Sequence, residues 1–172
     1  MLINKFIGGR TIHHAKNLKL KMPYGKIYDY VKEGNSKDHV LNHKINLYAL
    51  NQTNNSFHAI KLTSLYNSNL EKYLDDYYQL CIKNHNKILI DAENVKNQNM
   101  INDYSNYCID SYDGNIFYKT YQMYRKDTLS LLESDLRKYN NNFGIKLVRG
   151  AYHNEDKNSG LLHLKKEDTH ND

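Results

Sequence analysis

Two lysines stand inside apolar strands of this chain, at the ends where reactive groups collect in many α/β proteins. Lys61 lies between Ile60 and Leu62 in the run Phe57-His58-Ala59-Ile60-Lys61-Leu62, and Lys146 lies in Phe143-Gly144-Ile145-Lys146-Leu147-Val148-Arg149-Gly150. A strand this apolar is normally covered on both faces, where an unpaired ammonium or guanidinium costs several kcal/mol. Lys61, Lys146 and Arg149 are therefore predicted to meet anions: a carboxylate of the chain, or the carboxylate or phosphate of a ligand. Gly150 follows at once and permits a sharp turn and a close approach of backbone to whatever lies beyond the strand end.

Other polar residues fall at equivalent places. Asp91 and Glu93 close Lys87-Ile88-Leu89-Ile90-Asp91, Gln122 follows Asn115-Ile116-Phe117-Tyr118-Lys119-Thr120, and Glu33 follows Lys26-Ile27-Tyr28-Asp29-Tyr30-Val31. Glu33 reads best as a surface or helix-entry carboxylate. Asp91 and Glu93 have no histidine at ligand spacing, so they are assigned to hydrogen bonding and to no metal. Two readings stay open for them: a catalytic role, or a salt bridge to Lys61 or Lys146 across the strand ends.

The elements that position these groups recur with a regular beat. Strand starts at residues 26, 57, 87, 115 and 143 are 31, 30, 28 and 28 residues apart. Amphipathic stretches fill the intervals. The clearest is Leu70, Tyr73, Leu74, Tyr77 and Cys81, at the spacing of one buried helical face. Val40, Leu41, Lys44, Ile45 and Tyr48 predict a second, weaker stripe. Met100, Tyr104, Tyr107 and Cys108 predict a third, and Leu129, Leu132 and Leu136 a fourth. A helical lead-in is expected from Thr11 to Lys21, ended by Pro23-Tyr24-Gly25. Strands alternating evenly with helices predict an α/β fold, a parallel (βα)8 TIM-type barrel rather than a doubly wound sheet. A full barrel takes about 250 residues, so five strands amount to roughly its first two thirds, held as a single domain over residues 1–172. Reactive residues in such barrels sit at the carboxyl ends of the strands, where the polar residues above fall.

Composition narrows the partners. The chain has 172 residues, with 40% hydrophobic and 25% charged, and mean hydropathy is −0.83 because Asn, Lys and Tyr abound. Net charge is +5, yet the lysines are spread along the chain, and the local run Lys16, Lys19, Lys21 reads as a solvated face, so no nucleic-acid partner is predicted. Cys81 and Cys108 fall on helical faces and are read as buried thiols of a reducing compartment. No apolar run approaches the roughly 18 residues of a membrane span. Residues 1–28 carry cations and no Asp or Glu, a weak transit-peptide trait, while Phe6-Ile7-Gly8-Gly9-Arg10-Thr11 reads as part of the fold.

An ordered set of segments carries a resemblance. Lys87–Glu93, Thr120-Tyr121-Gln122 with Lys126-Asp127, and Lys146-Leu147-Val148-Arg149-Gly150-Ala151-Tyr152 resemble, in order and spacing, the signature strands of the proline dehydrogenase family. Phe6–Gly9, Tyr28-Asp29-Tyr30 and Ala59–Thr63 agree with its earlier segments, and the Lys-Leu-Val-Arg form with Glu155 and Lys157 is most similar to the eukaryotic branch. The resemblance implies an FAD-dependent oxidoreductase that converts L-proline to Δ1-pyrroline-5-carboxylate, passing a hydride to flavin N5 and electrons to a quinone. By the same resemblance Lys61 would hold the proline carboxylate and Asp91 would order the network beneath it. Gln122 would contact the flavin ring and Lys146 would lie near N5. Val148, Gly150, Ala151 and Tyr152 would shape the flavin and proline pockets. A mitochondrial location is implied by the family, and a cytoplasmic one if targeting is absent.

The resemblance also marks departures. Bacterial members more often carry Arg at the position of Lys146, and the two cations are not interchangeable donors. Family members continue for three more strands and a helix whose adjacent arginines clamp the proline carboxylate; here Arg10, Arg125, Arg137 and Arg149 are all isolated. A truncated barrel is therefore expected, inactive by itself, with a second chain as the partner that would complete it. The alternative is a non-catalytic remnant or interaction module of the family.

Overall fold

The computed structural model describes residues 11–17, 26–30, 38–140 and 143–163. Phe6–Arg10, Lys19, Lys21, the Pro23–Gly25 break and Glu33 lie outside the described residues. The elements run α1 (Ile12–Asn17), β1 (Ile27–Asp29), α2 (His39–Asn51), β2 (Phe57–Ile60), α3 (Leu70–Asn84), β3 (Lys87–Ile90), α4 (Val95–Ser111), β4 (Phe117–Gln122), α5 (Thr128–Lys138), β5 (Gly144–Val148) and α6 (His153–Asp156). All five strands are parallel and lie side by side in chain order. An unreversed order is that of a barrel wall, whereas a doubly wound sheet reverses direction at a switch point.

Strand residues paired in register point to the same face of the sheet, and alternate residues to the other. Register Ala59↔Leu89, Leu89↔Tyr118 and Tyr118↔Gly144 therefore defines the inner, concave face, which also carries Asp29, Asp91, Thr120, Gln122 and Lys146. The opposite face presents Ile60, Ile88, Ile90 and Phe117 to the helices, and these join Leu50, Leu70, Leu74, Tyr77, Cys81, Ile101 and Cys108 in one hydrophobic core. The α3 face is the one its spacing predicts, with Leu70, Tyr73, Leu74, Tyr77 and Cys81 all buried. Burial raises the Cys81 thiol to about 12 and pushes Cys108 up as well, so both are held as unreactive thiols.

The other three helices differ from the predicted stripes. In α2, Val40 and Leu41 are 55% and 53% exposed and Tyr48 is also exposed. The buried residues are Asn42, His43, Asn46 and Leu50. This polar face is specific: Asn42 donates to the Ser64 carbonyl at 2.9 Å, and the His43 ring stacks on Tyr73 at 3.9 Å. In α4 the buried line is Gln98, Ile101, Ser105 and Cys108, with Met100, Tyr104 and Tyr107 only partly covered beside it. In α5 the inward residues are Thr128 and Asp135, and Leu129 is exposed. Asp135 turns inward because Lys119 of β4 does: their charged atoms are 2.7 Å apart, and the Tyr121 hydroxyl donates to the same carboxylate oxygen at 2.7 Å.

Strand β4 begins two residues later than the run Asn115–Thr120 predicts, because Gly114 and Asn115 both take positive φ in the turn before it. The shift brings Gln122 into the strand. At β5 the premise of burial on both faces fails. Arg149 is exposed and Leu147 is 57% exposed, and β5 has a described sheet neighbour on one side only.

Candidate functional site

The site lies where β2, β3, β4 and β5 end on the concave face. Lys61 follows β2 in extended geometry, just before a short 3-10 turn over Leu62–Ser64 that is held by the Ser64 amide and hydroxyl donating to the Lys61 carbonyl. Its side chain is only 8% exposed, and its ammonium donates to Asp91 Oδ2 at 2.7 Å. Lys146, half-buried on β5, donates to the other oxygen of the same carboxylate at 2.5 Å. Asp91 is thus a bridge between cations from strands on either side of β3. Asp29 at the end of β1 adds a second carboxylate, 3.8 Å from the Lys61 ammonium. The two predicted lysine partners are accordingly carboxylates of the chain itself, and Arg149 lies in solvent where it needs none.

Glu93 faces the loop after β2 rather than the mouth. Its Oε2 accepts from the Thr63 hydroxyl at 2.7 Å and its Oε1 from the Thr63 amide at 3.4 Å. Its amide donates to Gln98 Oε1 at 3.1 Å, and its carbonyl accepts from Gln122 Nε2 at 2.8 Å. The Gln122 side chain, at the end of β4, is thereby tied to the loop after β3. Among the described residues, no group of three His, Cys, Asp or Glu side chains is placed to hold a metal ion.

The β5 end departs from regular geometry at Gly150, whose φ is +128°. A Cβ there would stand 1.7 Å from the ring of Tyr124, so only glycine fits. Val148 is half-buried at the end of the strand, Ala151 is exposed and Tyr152 half-buried. Thr120 Oγ1, beside Lys146 in register, is buried without a hydrogen-bond partner.

The structure thus joins Lys61, Asp91 and Lys146 directly and holds Gln122 to Glu93. The sequence reading missed Asp29, Thr63, Tyr124 and Asp156. Asp29 had a usable signal, a carboxylate at a strand end. Asp156 had none, because it sits in a polar stretch without periodicity.

A proline dehydrogenase family model matches residues 11–171. A search of curated proteins finds no match. Among solved structures, proline utilization A from Bdellovibrio bacteriovorus inactivated by N-propargylglycine superposes with a TM-score of 0.81 at 15% identity, covering 96% of this chain and 22% of that one. Proline utilization A from Bradyrhizobium japonicum gives a TM-score of 0.73 at 17% identity, covering 94% of this chain and 20% of that one. A bifunctional proline utilization A gives 0.76 at 17% identity, with the same coverages of 94% and 20%. At such identities the likeness is one of fold, and this chain spans about a fifth of the length of those proteins.

Proposed function

Because this chain belongs to the proline dehydrogenase family, we propose that the mouth of its barrel wall is the flavin and substrate end of an L-proline oxidation site. The observation that carries this reading is a buried ammonium, Lys61, presented at the mouth and held there by Asp91. The residues present fit a flat, acceptor-rich flavin: Gly150 lets backbone come close, Lys146 supplies a cation, and Thr120 Oγ1 is a buried polar atom without a partner. Lys146, Gln122, Val148, Gly150 and Ala151 would hold the group. When bound, FAD supplies the acceptor for the hydride removed from proline, and a quinone takes the electrons onward.

The chain's own residues then divide the work. Lys61 donates to the proline carboxylate, which fixes the end of the substrate away from the reacting carbon. Asp91 holds Lys61 and Lys146 at a set separation, since one carboxylate accepts from both. Glu93 orients Gln122 through its carbonyl and secures the loop carrying Lys61 through Thr63. Tyr152 and Ala151 line the substrate side. Ile27 and Leu147, on the two edge strands, are 60% and 57% exposed, and a further βα segment, from this or a second polypeptide, would cover them.

The test is a titration of the purified 172-residue polypeptide with FAD, followed by flavin fluorescence and visible absorption. Saturable binding near one flavin per chain, with a perturbed band, is the expected result. No binding to a folded chain would favour a family remnant that has lost the cofactor.

A further inference from the structure

We infer that Asp156 is a positioning residue that ties the loops after β3, β4 and β5 into one unit and so sets the height of the Gly150 turn at the site. The inference rests on the flavin reading for its functional part and on geometry alone for the rest.

Asp156 is buried at the end of α6, in a stretch that is otherwise exposed. One carboxylate oxygen accepts from the Val95 amide at 2.9 Å, at the first residue of α4, where the loop that carries Asp91 and Glu93 ends. The other accepts from the Tyr124 hydroxyl at 2.7 Å, in the loop that follows Gln122. Its own amide donates to the Tyr152 carbonyl at 2.9 Å, in the loop that carries Gly150. The Asp156 side chain therefore ties the segments after β3 and β4 to the segment after β5, to which its own backbone amide is bonded.

Tyr124 transmits the tie. Its amide donates to the Arg149 carbonyl at 2.8 Å and its ring occupies the space beside the Gly150 Cα. The Tyr124 ring thus packs directly against Gly150. The return segment closes the unit from outside: Lys126 N–H donates to the Leu161 carbonyl at 2.9 Å, His163 N–H to the Tyr124 carbonyl at 3.0 Å, and Arg125 bridges antiparallel to Leu162. The charged groups around the phenol are Asp156 and Arg125, whose guanidinium is engaged by Asp127. Burial and the Asp156 carboxylate push the Tyr124 phenol up, which keeps it a hydrogen donor throughout the working range.

The test uses the 172-residue chain with Tyr124→Phe, Asp156→Ala and Asp156→Glu, read by hydrogen exchange without ligand and by FAD titration. Tyr124→Phe should speed exchange of the residue-124 and Asp156 amides, which donate to the Arg149 and Tyr152 carbonyls, by about tenfold while α3 keeps its protection, and should weaken FAD by about five- to tenfold. Asp156→Ala should add exposure of the Val95 amide, and Asp156→Glu should recover part of both. Unchanged exchange in Tyr124→Phe would overturn the tie, whether or not flavin binds. Faster exchange of the residue-124 and Asp156 amides with unaltered FAD affinity would overturn the positioning role. Absence of FAD binding by the unmodified chain, with the exchange pattern as expected, would leave the tie standing and refute the flavin reading instead.

Discussion

At the strand ends the buried Lys61 ammonium is met by the Asp91 carboxylate of the neighbouring strand, whereas the buried His58 imidazole is held neutral. The His58 ring is buried beside that of Tyr28, with Nε2 2.7 Å from the Thr53 hydroxyl, and burial lowers it to about 4 from an ordinary 6.5. The sign follows: a base depressed in the folded state contributes fully above the unfolded pKa and loses its contribution as pH falls from about 6.5 towards about 4. The loss over that window is on the order of 3 kcal/mol. Urea unfolding from pH 7 to pH 4 should therefore be steeper in pH for the unmodified chain than for His58→Gln; parallel curves would mean that His58 titrates alike in both states. Lys61, Asp91 and Lys146 were legible from sequence because a cation in an apolar strand has to find an anion. Their mutual contact was not, since the same demand is met equally by a ligand, and only register decides that Asp91 lies between them.

At the scale of elements, legibility followed how each helix is buried. An apolar face announces itself by spacing, as α3 does, whereas α2 and α5 are seated by polar side chains whose partners are distant in sequence. Lys119 and Asp135 are the sharpest instance, a buried pair between β4 and α5 in which burial holds the lysine below its ordinary value despite the carboxylate beside it. Removing one member of such a pair leaves the other charge buried and costs about 3–5 kcal/mol, whereas replacing both with apolar residues of similar volume is often neutral. Lys119→Met and Asp135→Leu should each destabilise strongly in urea titrations, and the double variant should recover most of the loss. Additive single losses would show that the pair is not coupled. The parallel order of the strands was legible from the 28- to 31-residue beat, because a parallel connection needs a crossover of that kind.

At the scale of the molecule, the sheet formed by the described residues has two edges. Strands β1 and β5 each have a described sheet neighbour on one side only, and Ile27 and Leu147 on them are mostly exposed. Unpaired edges bearing apolar residues promote pairing between chains. The 172-residue polypeptide by itself should self-associate with rising concentration in analytical ultracentrifugation. It should also fail to reduce a dye with saturable dependence on proline when FAD is added, because the family resemblance implies further cations on the proline carboxylate beside Lys61, and each charge-assisted hydrogen bond is worth about 1.5–3 kcal/mol. Robust turnover from this polypeptide would require the carboxylate to be held by cations other than those the family resemblance implies. Net charge and composition said nothing about these edges, which depend on how many strands share one sheet.

The central claim is that Lys61 holds a carboxylate at a flavin-bearing barrel mouth. Its most direct measurement compares the unmodified chain and Lys61→Ala, each co-expressed with a polypeptide carrying the remaining strands of the barrel, in two titrations, one with FAD and one, in the presence of saturating FAD, with a five-membered cyclic carboxylate that lacks the ring nitrogen. The account predicts that Lys61→Ala weakens the carboxylate by at least about tenfold, the effect of one charge-assisted hydrogen bond, and leaves FAD affinity within about twofold. Equal weakening of both ligands, or none of the carboxylate, would contradict it.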